Sequence, residues 1–167
     1  MAKKKRQQPA STPAVRALVQ ADVPFTEHPY DHDPDHPSFG LEAAEALGLD
    51  AGSVFKTLMA TVDGTLTVAV LPVVCSLNLK ALATACGGKR AGLASPADAE
   101  RATGYVVGGI SPLGQRTRHR TVVDRSATRL ELMYVSGGRR GFDLGLVPAD
   151  LIRLTDAVVA DVCVPAR

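Results

Sequence analysis

The sequence contains no tryptophan, and only 4% of its 167 residues are aromatic. Its core must therefore be built mainly from aliphatic side chains. Hydrophobic residues make up 46% of the chain, a fraction typical of a globular protein and not of a disordered one. A chain of this length can form one sizeable core and does not require a second domain.

Further absences narrow the class of protein and the cellular compartment that the sequence predicts. No apolar run approaches the ~20 residues that span a bilayer, and no apolar segment follows the basic N-terminus as it would in a signal peptide. The three cysteines, Cys75, Cys86 and Cys163, are far apart and form no Cys-x-x-Cys pattern, which predicts no disulfide framework. Together these features predict a reducing, cytoplasmic compartment without membrane contact.

The small excess of positive charge is concentrated at one end of the chain. Residues 1–10 contain four of the 19 basic residues, and we expect them to form a disordered basic tail. Residues 11–167 are then predicted to form one domain with 15 basic and 17 acidic residues. Contact with nucleic acid would have to come from local basic patches. The tail either touches RNA or only aids solubility.

Capping and turn residues predict an alternation of helices and strands. Ser38 is expected to cap a helix that ends at Leu47, before Gly48. Asp63-Gly64 predicts a tight hairpin between strands at 53–62 and 65–71. Gly137-Gly138 is predicted to be a second turn. Because no regular strand–helix–strand rhythm is present, the pattern favours an α+β fold around a mixed, curved β-sheet.

Lys56 stands on an otherwise apolar strand face, which it is predicted to share with Val54, Leu58, Ala60 and Val62, because side chains alternate with period two. Such a lysine either extends its ammonium to water at a sheet edge or lines a pocket. In a pocket it could hold a phosphate or polarise a carbonyl.

A glycine-rich loop spans residues 108–114. Paired glycines allow the backbone to approach a ligand, and their N–H groups can bind an oxygen or a phosphate. The segment is neither a nucleophile elbow nor a Walker A motif, because Pro112 and Leu113 follow Ser111 and no Gly-Lys-Ser/Thr is present. A glycine pair alone is also compatible with an ordinary turn.

Two polar segments admit more than one interpretation. His28, His32 and His36 recur at four-residue spacing among aspartates, which suggests a metal site, but the intervening prolines favour a solvated loop whose Tyr30 faces a pocket. Basic residues also cluster downstream, either as a phosphate-binding rim or as an ordinary solvated hairpin and loop. The candidates for this RNA contact are Arg116, Arg118, Arg139 and Arg140.

The segments Val54-Phe55-Lys56-Thr57-Leu58, 104–114 and 134–141, together with 12–15 and 28–33, carry a family resemblance. The chain resembles the YbaK/EbsC-type Cys-tRNA(Pro) deacylases, which are related to the editing domain of bacterial prolyl-tRNA synthetases. The similarity covers about Thr12 to Ala160. It implies a barrel-like β-sheet surrounded by helices, and hydrolysis of Cys-tRNA(Pro) that the synthetase has mischarged. Related deacylases remove alanine or other small amino acids.

The resemblance also implies a mechanism and a set of site residues. The substrate's own thiol is implied to attack its ester carbonyl, so neither a metal nor another cofactor is expected. Implied partners are tRNA(Pro), possibly tRNA(Cys), and prolyl-tRNA synthetase. Lys56 and Gly109 are the implied catalytic residues. The implied substrate-binding residues are Tyr30, Phe39, Thr57, Gly108, Ile110, Ser111, Ser136 and Asp143. A non-catalytic module that binds tRNA or a synthetase is the alternative from another class.

Overall fold

The computed structural model describes residues 11–165, so the predicted tail, residues 1–10, lies outside the described part. Within that part, helices and strands are interspersed along the chain. The helices are α1 (Pro13–Gln20), α2 (Phe39–Leu47), α3 (Leu79–Ala85), α4 (Pro96–Thr103) and α5 (Pro148–Thr155). The strands are β1 (Thr26–Pro29), β2 (Phe55–Val62), β3 (Thr65–Pro72), β4 (Cys75–Leu77), β5 (Ala91–Leu93), β6 (Arg120–Asp124), β7 (Met133–Arg139), β8 (Phe142–Leu146), β9 (Val158–Ala160) and β10 (Cys163–Pro165).

Side-chain caps fix where the helices begin. The Ser38 hydroxyl accepts a hydrogen bond from the Leu41 amide, and α2 ends before Gly48, whose φ of 65° is left-handed. Thr12, Asn78 and Ser95 cap α1, α3 and α4 in the same way. Each cap satisfies an amide that the first helical turn leaves without a partner. The predicted start and end of α2 are therefore confirmed.

The β2–β3 hairpin is also confirmed. Asp63 and Gly64 both have positive φ, 49° and 82°, as a two-residue hairpin turn of type I′ requires. The strands pair antiparallel from Phe55 opposite Pro72 to Val62 opposite Thr65. The Asp63 carboxylate accepts hydrogen bonds from the amides of Lys89 and Arg90, and these bonds lower its pKa.

The strands form three sheets. The largest has the order β5-β2-β3-β6-β9 and is mixed, because β2 and β3 pair antiparallel whereas β3, β6 and β9 are parallel. The others are β1-β8-β7 and the pair β10-β4. The α+β class is thus confirmed. Within residues 11–165, however, the largest sheet ends at β5 and β9 and does not close, so the expected barrel is not observed.

The largest sheet has a hydrophobic cluster on each face. Phe55 and Met59 of β2 belong to a cluster that includes strands β7 and β8 and helices α1 and α5. Ala60 and Val62 join a second cluster that includes Leu82 of α3. Burial on both faces explains why β3 is a nearly continuous apolar run. No helix within the described residues is long and apolar enough to cross a membrane.

Two predictions from the sequence are wrong. The chain reverses at Arg140-Gly141, whereas Gly137 and Gly138 lie within β7 at a bulge. A Cβ atom at Gly137 would stand 2.3 Å from the Phe142 ring, so this glycine serves packing rather than a turn. The predicted absence of a disulfide also fails.

The disulfide joins Cys75 to Cys163, and Cys86 is the free cysteine. The paired residues lie on β4 and β10, which are antiparallel neighbours, and their Cα atoms are 5.5 Å apart. That separation is the usual one for a disulfide. The two cysteines are 88 positions apart in sequence, so their spacing gave no sign of this pairing.

Candidate active site

A cavity of about 490 Å³ opens between β2, the start of α2, α4 and the glycine-rich loop. Its volume lies within the ~300–1,000 Å³ range of small-molecule sites. Eight residues that the sequence analysis named as site candidates line it. They are Tyr30, Phe39, Lys56, Thr57, Gly108, Ile110, Ser136 and Asp143. Residues far apart in sequence thus meet at one site.

Lys56 is positioned by β2 and half-buried at the cavity wall. Burial lowers the pKa of its ammonium, because removal from water disfavours the charged form. Within residues 11–165 no carboxylate lies within 4.0 Å of it, so Lys56 and Asp143 form no ion pair although both line the cavity. Lys56 is therefore a cation with capacity to hold a negatively charged ligand group.

Asp143 lies on β8 and is only 6% exposed. Burial raises the pKa of its carboxyl group to about 7, because the cavity wall excludes most water from it. Burial of the Tyr30 hydroxyl is the largest cause that raises the pKa of this residue to about 12, and the negative charges of Asp143 and Glu42 add to it. The cavity thus contains a carboxyl group that changes charge near neutral pH and a tyrosine that stays protonated.

Thr57 contributes a polar group without a partner. Its hydroxyl oxygen is buried and makes no hydrogen bond to any described residue. A buried hydroxyl without a partner is destabilising by about 1–3 kcal/mol. Because Thr57 lines the cavity, a polar ligand group could supply the missing hydrogen bond.

The glycine-rich loop meets the cavity at Gly108 and Ile110, whereas Gly109 and Ser111 do not line it. The Gly109 amide donates to the Val106 carbonyl at 2.8 Å, and a Cβ atom at Gly109 would stand 2.7 Å from the Arg139 Cα atom. Gly109 therefore packs the loop against β7. Within residues 11–165 the amides of Gly108 and Ile110 donate to no backbone acceptor.

Phe39 also lines the cavity, and its ring excludes a side chain at Gly108. A Cβ atom there would lie 2.8 Å from two atoms of the Phe39 ring, and Gly108 has a φ of 88°. The Arg140 guanidinium stands 5.2 Å from the same ring and donates to the Val107 carbonyl at 2.9 Å. Arg140 thus links the β7–β8 turn to Phe39 and to the glycine-rich loop.

The histidine-rich segment is held by glutamates of α2. The Glu42 carboxylate, which is buried, contacts His32 Nδ1 at 2.7 Å and accepts from the Asp33 amide at 3.1 Å. The exposed Glu45 contacts His36 in the same way. These contacts fix the segment that leads into Phe39. Sequence reasoning missed Glu42, for which the only signal was an acidic residue in the first turn of α2.

The four arginine candidates are all exposed. Arg139 and Arg140 lie at the β7–β8 turn, and the Arg139 guanidinium stands 4.7 Å from the Phe142 ring. Arg116 and Arg118 follow the glycine-rich loop, away from the cavity lining. Sequence reasoning also missed most of the apolar lining, including Met59 and Leu93, because apolar residues of a cavity wall and of a core look alike.

The described lining of the cavity contains neither histidine nor cysteine. Its hydroxyl groups therefore have no adjacent imidazole to activate them as nucleophiles. What the cavity offers is a cation, a carboxyl group with a raised pKa and two loop residues, Gly108 and Ile110, whose amides have no backbone acceptor among the described residues. The fold and the site define a small α+β protein with an enzyme-like cavity that can act by positioning and electrostatics.

Comparison with known proteins identifies the family. The model of the aminoacyl-tRNA editing domain matches residues 37–154, and the chain belongs to this family. Over 163 residues it is 37% identical to EbsC of Enterococcus faecalis, which is named as a Cys-tRNA(Pro)/Cys-tRNA(Cys) deacylase. That alignment covers 97% of this chain and 98% of the relative. The resemblance found in the sequence is thereby confirmed.

Solved structures show the same fold. The crystal structure of the hypothetical protein APE2540 matches with a TM-score of 0.82 and 27% identity, over 91% of this chain and 99% of that one. A protein described as a trans-editing enzyme for prolyl-tRNA synthetase matches with a TM-score of 0.78 and 23% identity. The second match covers 93% of this chain and 98% of that one.

Proposed function

We propose that this protein hydrolyses mischarged aminoacyl-tRNA, with Cys-tRNA(Pro) as its substrate. The observation that carries the proposal is that Lys56, Asp143 and Gly108 line one cavity, whose described lining includes no histidine or cysteine. Membership of the editing family supports the tRNA ester as substrate, and similarity to a protein named for Cys-tRNA(Pro) supports the amino acid. Cysteine and proline are close in size, so a synthetase pocket separates them poorly and editing is needed.

The nucleophile in this proposal comes from the substrate. The cysteine sulfur attacks its own ester carbonyl carbon, a C–S bond forms, and the C–O bond to the ribose breaks. The thiol proton ends on the ribose oxygen, directly or through water. The products are a cyclic thiolactone and free tRNA, and water then opens the thiolactone. No side chain has to form a covalent bond.

In this proposal the protein acts by stabilising the negative charges of the substrate. The Lys56 ammonium would neutralise a phosphate at the 3′ end of the tRNA, which brings the ester into the cavity. The amides of Gly108 and Ile110 would donate to the oxyanion that develops on the carbonyl oxygen. Gly109, the catalytic glycine expected from the sequence, would act indirectly, because its amide is already bonded to Val106.

Specificity for one tRNA would require a partner. A domain of this size contacts little of a tRNA, so we propose that it works with prolyl-tRNA synthetase, in the cytoplasm. Arg139 and Arg140, exposed at the β7–β8 turn, would contact phosphates near the 3′ end. The related Cys-tRNA(Cys) would be a second substrate.

Deacylation of three substrates side by side tests the chemistry. We expect hydrolysis of Cys-tRNA(Pro) and much slower release from Ser-tRNA and Ala-tRNA(Pro), because serine matches cysteine in shape but lacks the thiol. Equal rates on cysteine and serine would remove thiol attack from the proposal. Preferential hydrolysis of Ala-tRNA(Pro) would make the protein an alanine deacylase instead.

Substitution of the lysine tests the site. Lys56→Ala is expected to lower the rate more than tenfold, while Lys80→Ala, on the surface of α3, removes an equal charge and leaves the rate unchanged. Circular dichroism would verify that both variants fold. Full turnover by Lys56→Ala would refute the proposed role. A wild-type protein that binds tRNA but never hydrolyses the ester would instead be a binding module.

A further inference from the structure

A second cavity, of about 170 Å³, lies between α1, the end of α5 and the segment that follows the glycine-rich loop. None of its lining residues lines the first cavity. We propose that this second cavity binds a ribose–phosphate unit of the tRNA acceptor strand. The inference rests on the proposed function, because it takes the substrate to be RNA.

The two cavities lie back to back on one loop. Gly108 and Ile110 line the first cavity, and Pro112 through Gln115 line the second. The Gln115 side-chain amide donates to the Ser111 carbonyl at 3.0 Å and lies 3.9 Å from the sulfur of Met59, which lines the first cavity. The side chains of Gln115 and Met59 therefore form part of the wall between the two cavities.

The interior of the second cavity presents hydrogen-bond acceptors. Since the Gln115 amide nitrogen donates to Ser111, its carbonyl oxygen accepts from His119 Nδ1 at 2.8 Å. Neutral His119 then carries its lone pair on Nε2, and burial lowers its pKa and so favours that neutral form. The hydroxyls of Thr121 and Thr155 donate to backbone carbonyls, which leaves their oxygens free to accept.

The rim of the second cavity presents a positive charge. Arg118 is exposed, and within residues 11–165 no carboxylate lies within 4.0 Å of it. A ligand that suits this arrangement donates hydrogen bonds inward and carries negative charge at the rim. A ribose with its adjacent phosphate meets both requirements, and the 2′-hydroxyl is the donor that distinguishes RNA from DNA.

Size and composition favour the sugar–phosphate over the base. The cavity is smaller than the ~300–1,000 Å³ of sites for drug-sized ligands. Its described lining has no Phe, Tyr or Trp on which a base could stack. Its apolar members, which include Ala17, Leu113 and Leu154, suit the carbon face of a ribose.

Binding of an uncharged RNA minihelix that ends in CCA tests the proposal without any hydrolysis. One phosphate contact changes log Kd by ~0.9 per tenfold change in salt. Between 1 M and 0.1 M salt the contact thus strengthens binding about eightfold, and its loss at 0.1 M weakens binding by the same factor. We expect this change in Kd for Arg118→Gln, measured by fluorescence anisotropy. Arg129→Gln, an exposed arginine that lines neither cavity, should stay within twofold of the wild type.

A second comparison tests the acceptors. The wild type should bind the ribose minihelix more tightly than one with deoxyriboses in its 3′ strand, and His119→Ala should reduce this ratio. If His119→Ala does not fold, Arg118→Gln decides alone. Equal Kd values for Arg118→Gln and Arg129→Gln would overturn the proposal, as would a ribose preference that His119→Ala leaves intact.

Two further arms separate the possible causes of failure. Binding of cytidine 5′-monophosphate that depends on Arg118, without any Arg118 effect on the minihelix, would overturn the assignment to RNA. An Arg118 effect on the minihelix in a protein that hydrolyses no aminoacyl-tRNA would support this site while refuting the proposed function.

Discussion

Asp143 makes folding stability depend on pH in a way that can be measured. Its carboxyl group has a pKa of about 7 in the folded protein, raised from 3.8 by burial. Between these pH values the folded protein keeps the proton and the unfolded chain releases it. The stabilisation from this group is therefore complete below pH 3.8 and is lost as pH rises to 7.

The size of the effect follows from the shift of about three pKa units. Each unit corresponds to ~1.4 kcal/mol, so above pH 7 the buried carboxylate destabilises the fold by about 4 kcal/mol relative to strongly acidic conditions. At pH 5 the same linkage gives a loss of less than ~2 kcal/mol. Asp143→Asn removes the titrating group. The free energy of unfolding of the variant, minus that of the wild type, should thus increase by ~2–3 kcal/mol between pH 5 and pH 8.

Urea denaturation of both proteins between pH 5 and pH 8 measures this difference. Asp22→Asn, at an exposed position, is the matched control and should show no such trend. A second readout is Tyr30, whose pKa the charge of Asp143 helps to raise, so that its pKa should fall in Asp143→Asn. A stability difference that stays constant with pH would refute the burial of an ionisable carboxyl group.

Two further predictions concern the loop and the disulfide. Gly108→Ala should abolish most activity, because its Cβ atom would meet the Phe39 ring at 2.8 Å, whereas Gly48→Ala, with positive φ but open space around it, should show only the ~1–2 kcal/mol of left-handed strain and retain activity. Unfolding curves and deacylation rates of both variants check this, and equal rates would contradict it. Reduction of the Cys75–Cys163 disulfide, which closes a segment of 88 positions, should lower the free energy of unfolding by up to about 4–5 kcal/mol. Urea denaturation with and without reductant measures the loss, and three free thiols in the unreduced, unfolded protein would show that the disulfide does not form.

The elements that the sequence predicts well are those decided by neighbouring residues. The Ser38 cap, the Gly48 stop and the Asp63-Gly64 turn each depend on a hydrogen bond or a φ angle within a few positions. The residue pattern indicates Lys56, Tyr30 and the glycine-rich loop, whereas most other site candidates come from the family resemblance. Eight of the candidates line the cavity.

The predictions that fail depend on contacts between distant segments. Gly137 resembles a turn glycine in sequence, yet its lack of a side chain is required by the Phe142 ring. Cys75 and Cys163 become neighbours only because β4 pairs with β10. Sequence also could not separate Gly108 from Gly109, because the difference lies in which amide is already bonded within the loop.

Because the proposed nucleophile belongs to the substrate, the proposed catalysis depends on rigid positioning by the protein, and the loop that carries Gly108 is held in place at several points. The Val107 amide donates to Glu100, and the Tyr105 hydroxyl donates to the Leu113 carbonyl. At its far end Gly114 packs against the backbone of α1 so closely that a Cβ atom would lie 2.3 Å from a carbonyl oxygen. A displacement of about 1 Å can reduce a positioned reaction ~100-fold. The residues that hold this loop therefore contribute to the proposed catalysis through positioning, although they do not line the cavity.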